Sequence, residues 1–425
     1  MTRKLLLSLV LVMAIGLAKA QMNTAGYETW RPLYNSMVTW EDGAFNMNQI
    51  GHPDYGWGVY NGLSHDIEGD SIYLIKLPNG SLKQLFIEAK LSSSNIYKFR
   101  YADVTGENEV IEEARCVDYP DRLFLYYSLQ NKAFVDRDPA KTDWDIVLTK
   151  YTDTTINYTV TGFLLNEGSL VSVYHAPNST AALNSTINDT TVFKKDITVI
   201  GNSWNKVSGF SIIPLDTMVY FVKTASKSVY KLRTTFFESG STAGTGKGRV
   251  GVAVQMLLPT LGEIVKDTLV MGNGYANDVY FSMAQGVTKT SPRTAWDIAF
   301  KANKYSASIF LNTTMNTSLY TYPKSFGEGI SAWESLAIRQ NTIDLTSIYP
   351  NPVSDNVRFN NKDWKQNSEV LFSVYNSAGK LVLNQSHTLD GTGFVSNFSQ
   401  LANGIYHARM MNNGVYYSAK VLVNK

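Results

Sequence analysis

Tyr126–Tyr151 reads YYSLQNKAFVDRDPAKTDWDIVLTKY, and Tyr280–Tyr305 reads YFSMAQGVTKTSPRTAWDIAFKANKY. Both open on Tyr-aromatic-Ser, carry Trp-Asp-Ile in the middle and close on Lys-Tyr, with Trp144 and Trp296 separated by 152 positions. Working outward, WGVYNGLSHDIEGDSIYLIK from Trp57 aligns without gaps on WNKVSGFSIIPLDTMVYFVK from Trp204. At that offset of 147, Gly62 falls on Gly209, Ser64 on Ser211, Tyr73 on Tyr220 and Lys76 on Lys223. Two matching pairs in the same order establish an internal duplication, so the body is one unit used twice.

The repeated unit reads as strands. Ser71 to Leu77 is a short apolar run ended by Pro78-Asn79-Gly80, and Met218 to Lys223 is its counterpart. Tyr230, Leu232, Thr234 and Phe236 alternate with Lys231, Arg233 and Thr235, which is strand spacing with one buried face. Eight Trp, 25 Tyr and 19 Phe favour strands, and no long helical stripe is present. An all-β body with wide twisted sheets follows. Alternation puts Trp144 with Ile146 on one face and Asp145 on the other, and likewise Trp296 with Ile298 against Asp297. These four residues read as structural repeat anchors: a buried aromatic ring with an Asp bonding a neighbouring turn.

The copies are read as residues 21–175 and 199–340. Between them, residues 176–198 contain APNSTAALNSTINDTTVFKKD, whose Ser, Thr and Asn predict a polar linker or long exposed loop. Residues 341–425 follow another pattern: Val357 to Phe359, Val370 to Val374, Gly404 to Met410, an Asn-Asn-Gly turn, then alternation through Tyr417, Ala419, Val421 and Val423. Seven or so short strands with a hairpin turn predict a small immunoglobulin-like β-sandwich.

YPNPVSDNV, VYNSAGKLV, LANGIYHARM and the terminal KVLVNK closely resemble the type A sorting domain of the type IX secretion system of Bacteroidetes. The resemblance rests on Tyr349, Pro350, Asn351, Pro352, Gly379, Gly404, Tyr406 and Lys420. It implies the type IX secretion machinery as partner, passage across the outer membrane, and either attachment to the outer-membrane surface or release. His387 and His407, inside this tail, are read as surface polar residues.

The other end agrees. Arg3 and Lys4 precede an apolar run from Leu5 to Leu17 and the small residues Ala18-Lys19-Ala20, the order of a cleavable signal peptide. Residues 1–20 are read as that peptide, with Ala18 and Ala20 at the cleavage site and the mature chain starting at Gln21. No mature segment reaches eighteen apolar residues, so no transmembrane span is expected. One cysteine, Cys116, excludes an intramolecular disulfide and reads as a small buried hydrophobe. Residues 21–340 hold 28 basic against 31 acidic side chains, which provides no basic stripe and argues against nucleic acid as a partner.

The body resembles the HmuY-like family of haem-binding proteins, on YFSM…WDIAFKANKYSASIFLN around Trp296 and VYFVKTASKSVYKLR from Val219. That resemblance alone implies haem or a related tetrapyrrole as cofactor. His52, His65 and His175 are the body histidines and the candidate haem ligands, but none is shared between the copies. Met218 and Met283, which could also ligate, sit in strand patterns and read as core. GSTAGTGKGRVG from Gly240 departs from a phosphate loop at Ser241 and Gly248, and reads as a hairpin connection. Neither G-x-S-x-G nor H-E-x-x-H occurs, so the chain reads as non-enzymatic. Asp136, Asp138, Asp143 and Asp145 lack calcium-loop spacing and read as a solvated turn. HPDYGWGVYNG, from His52, offers aromatic faces to a ring or a sugar. The sequence thus predicts an exported cell-surface or secreted binding protein for haem or, alternatively, a surface adhesin or glycan-binding protein with no cofactor.

Overall fold

Each Trp-Asp-Ile segment starts a strand whose partner lies in the other copy. In the computed structural model, Ile146, Val147 and Leu148 pair antiparallel with Phe281, Tyr280 and Val279. In the same register Ile298, Ala299 and Phe300 pair with Tyr127, Tyr126 and Leu125. The structure describes residues 22–425 except 210, 242–245, 314–315, 323–339, 343–346, 363, 377–380 and 413–414, and omits the side chains of 340–342 and 415–416. Ala18, Ala20 and Gly379 lie outside the described residues.

The exchange continues into the large sheets. In one, Ser318–Thr321, Ile72–Lys76, Leu82–Leu91, Ile96–Asp103 and Val110–Arg115 lie side by side, extended by Ile67–Gly69 and Gly58–Tyr60. In the other the order is Leu170–His175, Met218–Lys223, Val229–Glu238, Arg249–Leu258 and Ile264–Val270. The edge strand Ser318–Thr321 comes from the second copy but pairs with Ile72–Lys76 of the first. Leu170–His175 comes from the first and pairs with Met218–Lys223 of the second. Each copy therefore gives three strands to the other, and the two lobes in space are not the two copies in sequence.

The apolar faces follow the lobes. One core joins Trp57, Tyr73, Leu85, Tyr97, Phe99 and Tyr127 to Ile298, Phe300, Ile309 and Leu319. The other joins Ile146, Leu148, Phe163 and Val171 to Trp204, Met218, Tyr220, Leu232, Phe281 and Met283. A third cluster fills the seam between the lobes, with Phe124, Tyr126, Trp144, Val147, Tyr280, Ala299 and Phe310. The N-terminal segment straps the seam at equivalent points: Trp40 Nε1 donates to the Leu165 carbonyl at 2.8 Å and Asn35 Nδ2 to the Leu311 carbonyl at 2.7 Å. Lys301, fully buried, donates to both Glu41 and Glu167.

Residues 176–198 form a long connection, mostly irregular and largely exposed, that packs at a few points. They hold a helix, Ser179–Asn184, capped by the Asn178 side chain, which accepts the Ala181 N–H at 2.8 Å. Ala176, Ala182 and Ile197 are buried, and Ile187 and Phe193 pack on the same cluster as Val219 and Phe221. The polar residues that suggested a loop form the outer side of this connection.

The tail has its own sheets and core, and falls in a compact unit that also takes in residues 22–24 and 104–108. Gln340–Thr342, Val415–Val423, Gly404–Asn412, Glu369–Asn376 and Leu381–Thr388 form one sheet, and Ile348–Tyr349, Asn356–Asn360 and Gly393–Asn397 form a second. Phe359, Phe372, Phe394, Phe398 and Val421 fill the space between them, which is the predicted sandwich.

Candidate functional site

The predicted repeat anchors meet their turns across the seam. Asp145 Oδ2 accepts the Met283 N–H at 2.8 Å, and Asp297 Oδ2 accepts the Leu129 N–H at 2.7 Å. Burial raises both carboxyl pKa values above the ordinary range, more than these N–H donors lower them. The ring of Trp144 meets Tyr280 edge-on at 5.1 Å, and Trp296 meets Tyr126 at 4.9 Å.

The acidic cluster is divided rather than solvated as one turn, which corrects the sequence expectation. Asp136 pairs with Arg122 at 2.9 Å. Asp138 is 1% exposed and accepts the Tyr126 hydroxyl at 2.6 Å and that of Tyr280; Asp143 stays at the surface. Beside Asp138, Arg137 is 4% exposed, with Nη2 donating to Asp278 at 2.5 Å and Nη1 to the Tyr280 hydroxyl at 3.3 Å. Its guanidinium lies 4.9 Å from the Tyr126 ring centroid and 5.8 Å from that of Trp296. A cleft of about 110 Å³ opens here, lined by Trp40, Tyr126, Arg137, Lys150, Asp278 and Trp296 among others. Small-molecule pockets run to roughly 300–1,000 Å³, so this cleft does not house a tetrapyrrole. Sequence reasoning missed Arg137 and Lys150; the Val-Asp-Arg-Asp-Pro run ahead of Trp144 was the available signal.

The candidate haem histidines are not brought to one point. His52 and His65 are exposed and flank one tyrosine: the His52 ring lies 5.0 Å from that of Tyr60, and the Tyr60 hydroxyl meets His65 Nδ1 at 2.5 Å. His175 ends a strand of the other large sheet, opposite Met218. Met218 and Met283 are buried in the core, and Trp57, the centre of the aromatic stretch, is fully buried with Nε1 donating to the Ala307 carbonyl at 2.8 Å. Among the described residues, no group of three His, Cys, Asp or Glu side chains is placed to hold a metal ion. Cys116 is buried in the first core, which pushes its thiol up to about 12.

A groove with mixed chemistry lies between strand Leu170–His175 and the segment that follows the short helix. It measures about 520 Å³ and is lined by Ser172, Tyr174, Ser185, Asn188, Thr190, Thr191, Lys194 and Phe221. Tyr174 is 39% exposed and stacks on Phe221 with ring centroids 6.5 Å apart. The Asn188 side chain accepts from the Thr190 N–H and hydroxyl at 3.0 and 2.7 Å, shaping the rim. The wall is pinned from beneath by the buried Lys231, whose amine donates to the Leu183 carbonyl at 2.6 Å.

In the tail, the Tyr349–Pro352 motif is sewn to the last strand. Prolines 350 and 352 have no N–H for a ladder, and Asn351 supplies both bonds: Nδ2 donates to the Lys420 carbonyl at 3.1 Å and Oδ1 accepts the Leu422 N–H at 2.8 Å. Tyr406 is buried, with its hydroxyl donating to the Ala402 carbonyl at 2.9 Å, while the Lys420 side chain and His407 are exposed. His387 is half-buried, stacked on Phe394 at 4.6 Å, and burial lowers its pKa. Among the described residues, no helix is long and apolar enough to cross a membrane. No curated protein matches the chain. Residues 347–424 match the family model of the secretion system C-terminal sorting domain, so the tail is a type IX sorting domain and marks the chain for export to the cell surface or the medium.

Proposed function

We propose that this chain is a non-enzymatic binding protein, carried outward by its tail, whose body takes a glycan in the groove beside Tyr174. One observation supports the reading above the others: a groove of about 520 Å³ that pairs an exposed aromatic ring with a rim of Ser, Thr and Asn groups. Sugars present an apolar ring face and a hydroxyl edge, and an aromatic platform with hydroxyl and amide partners matches both. The full chain, labelled and applied to a glycan array, is expected to retain a restricted set of glycans, and Tyr174→Ala to lose them. A blank array, or binding that survives Tyr174→Ala, removes the reading.

A second reading, haem binding, is supported by His52 and His65 standing exposed on either side of Tyr60. Titration with oxidised and reduced haem would then give a saturable shifted Soret band that is lost in His52→Ala or His65→Ala. An unshifted spectrum in both oxidation states rejects it.

A further inference from the structure

The seam between the lobes holds buried hydrogen-bond donors that have no partner. Arg137 Nε and Trp296 Nε1, on two residues that line the cleft, are buried without a hydrogen-bond partner. Buried donors of this kind are rare and call for an occupant that accepts. The charges point the same way. Asp278 is already engaged by Arg137 and by the Thr149 hydroxyl, and Asp138 by two tyrosine hydroxyls. Arg293, 5% exposed, gives Nε to the Tyr275 carbonyl at 2.5 Å. Lys150 is half-buried, holds its amine 4.9 Å from the Tyr275 ring centroid, and forms no ion pair among the described residues. Burial lowers its pKa, and the nearby positive charge of Arg293 lowers it further. Arg137, Arg293 and Lys150 thus lie near Asp138 and Asp278, both of which already accept from other groups.

Arg137 and Lys150 both line the cleft of about 110 Å³, whose walls include Trp40, Tyr151 and Trp296. An apolar cavity of about 150 Å³ accommodates benzene, so this one has room for a few heavy atoms. We propose that the cleft is a binding site for a small carboxylate, its oxygens held between Lys150 and Arg137 and its short apolar end against the aromatic walls. A phosphate dianion suits it less, because Asp278 also lines the cleft and one unpaired amine balances a single negative charge.

The test is titration of the full chain with sodium acetate and, separately, sodium propionate, against sodium chloride at matched ionic strength, read by tryptophan fluorescence and by unfolding temperature. A saturable change with either carboxylate but not with chloride is expected. Lys150→Met should weaken it by roughly ten-fold or more, the loss of one charge-assisted hydrogen bond, and Lys150→Arg should retain it. No saturable response to either carboxylate, or equal affinity in a folded Lys150→Met protein, overturns the proposal and leaves the cleft to water.

Discussion

Asp145 and Asp297, 152 positions apart in sequence, make the same bond in opposite directions across the seam: each carboxylate, just after its tryptophan, caps the turn that follows the partner copy's Tyr-aromatic-Ser strand. The backbone repeats the exchange, with the Asp145 N–H donating to the Phe281 carbonyl at 2.8 Å and the Asp297 N–H to the Tyr127 carbonyl at 2.9 Å. The Trp-Asp-Ile signature is therefore the clasp of the swap.

Replacing either clasp by alanine should destabilise the body by roughly 1–3 kcal/mol, the cost of leaving a buried N–H without its acceptor. The pH dependence has a definite sign. Because burial raises both pKa values, the fold holds these protons more tightly than the unfolded chain does. The stability each contributes is complete below an ordinary Asp value of about 3.9 and is lost as pH rises through the folded value. Asp145→Asn should gain stability relative to wild type as pH rises through that window. A pH-independent difference in denaturant midpoints would contradict this.

Lys301 and Glu41 predict the opposite slope. Burial raises the Glu41 pKa, but the hydrogen bond and charge of Lys301 outweigh it and leave the carboxyl below its ordinary range. This contribution is present above an ordinary Glu value of about 4.3 and is lost as pH falls through the folded value. Lys301→Met should cost roughly 1–3 kcal/mol near neutrality, and less in acid. Parallel pH profiles for wild type and variant would refute the assignment.

Trp57 and Trp204 occupy equivalent positions and are both fully buried, but the indole N–H of Trp57 has an acceptor and that of Trp204 has none. Trp57→Phe should therefore cost about 1 kcal/mol more than Trp204→Phe. Urea unfolding of the two variants measures the difference, and equal costs would show that volume alone decides.

Removing residues 347–424 should hold the body inside the outer membrane without altering its unfolding temperature, because the tail's sheets pair among themselves around their own core. Cell fractionation with an antibody to the body checks the first half and calorimetry the second. Tail-less protein in the medium or on the surface would disprove the sorting role. In the intact tail, Asn351→Ala should loosen the last strand by removing both bonds that the prolines cannot make.

Strand positions were legible because alternation is local: Tyr230, Leu232 and Thr234 are buried in the strand Val229–Glu238, but a register shift after Thr234 leaves Phe236 exposed, and Lys231 on the opposite face is buried as well. The duplication was legible because Trp144 and Trp296 repeat with their neighbours. The exchange was not, since a periodicity of two specifies a face and never a partner. Arg137 and Asp278, 141 positions apart, meet only after the swap, and no local pattern announces their pairing. In the stretch from Ala176 a smaller feature was hidden for a different reason: its Ser, Thr and Asn composition does not reveal that Ala182 and Phe193 pack inward or that Asn178 caps a short helix.

The swap also sets an order of assembly. As the chain emerges from its N-terminus, strand Ile72–Lys76 has Leu82–Leu91 at hand, but its other edge stays open until Ser318–Thr321 arrives near the end of the body. The first lobe cannot close before the second is almost entirely made. A ribosome stalled between the copies would release an open-edged sheet prone to pairing with strangers, whereas a finished body seals both lobes together, so the body should show one cooperative transition despite its two lobes.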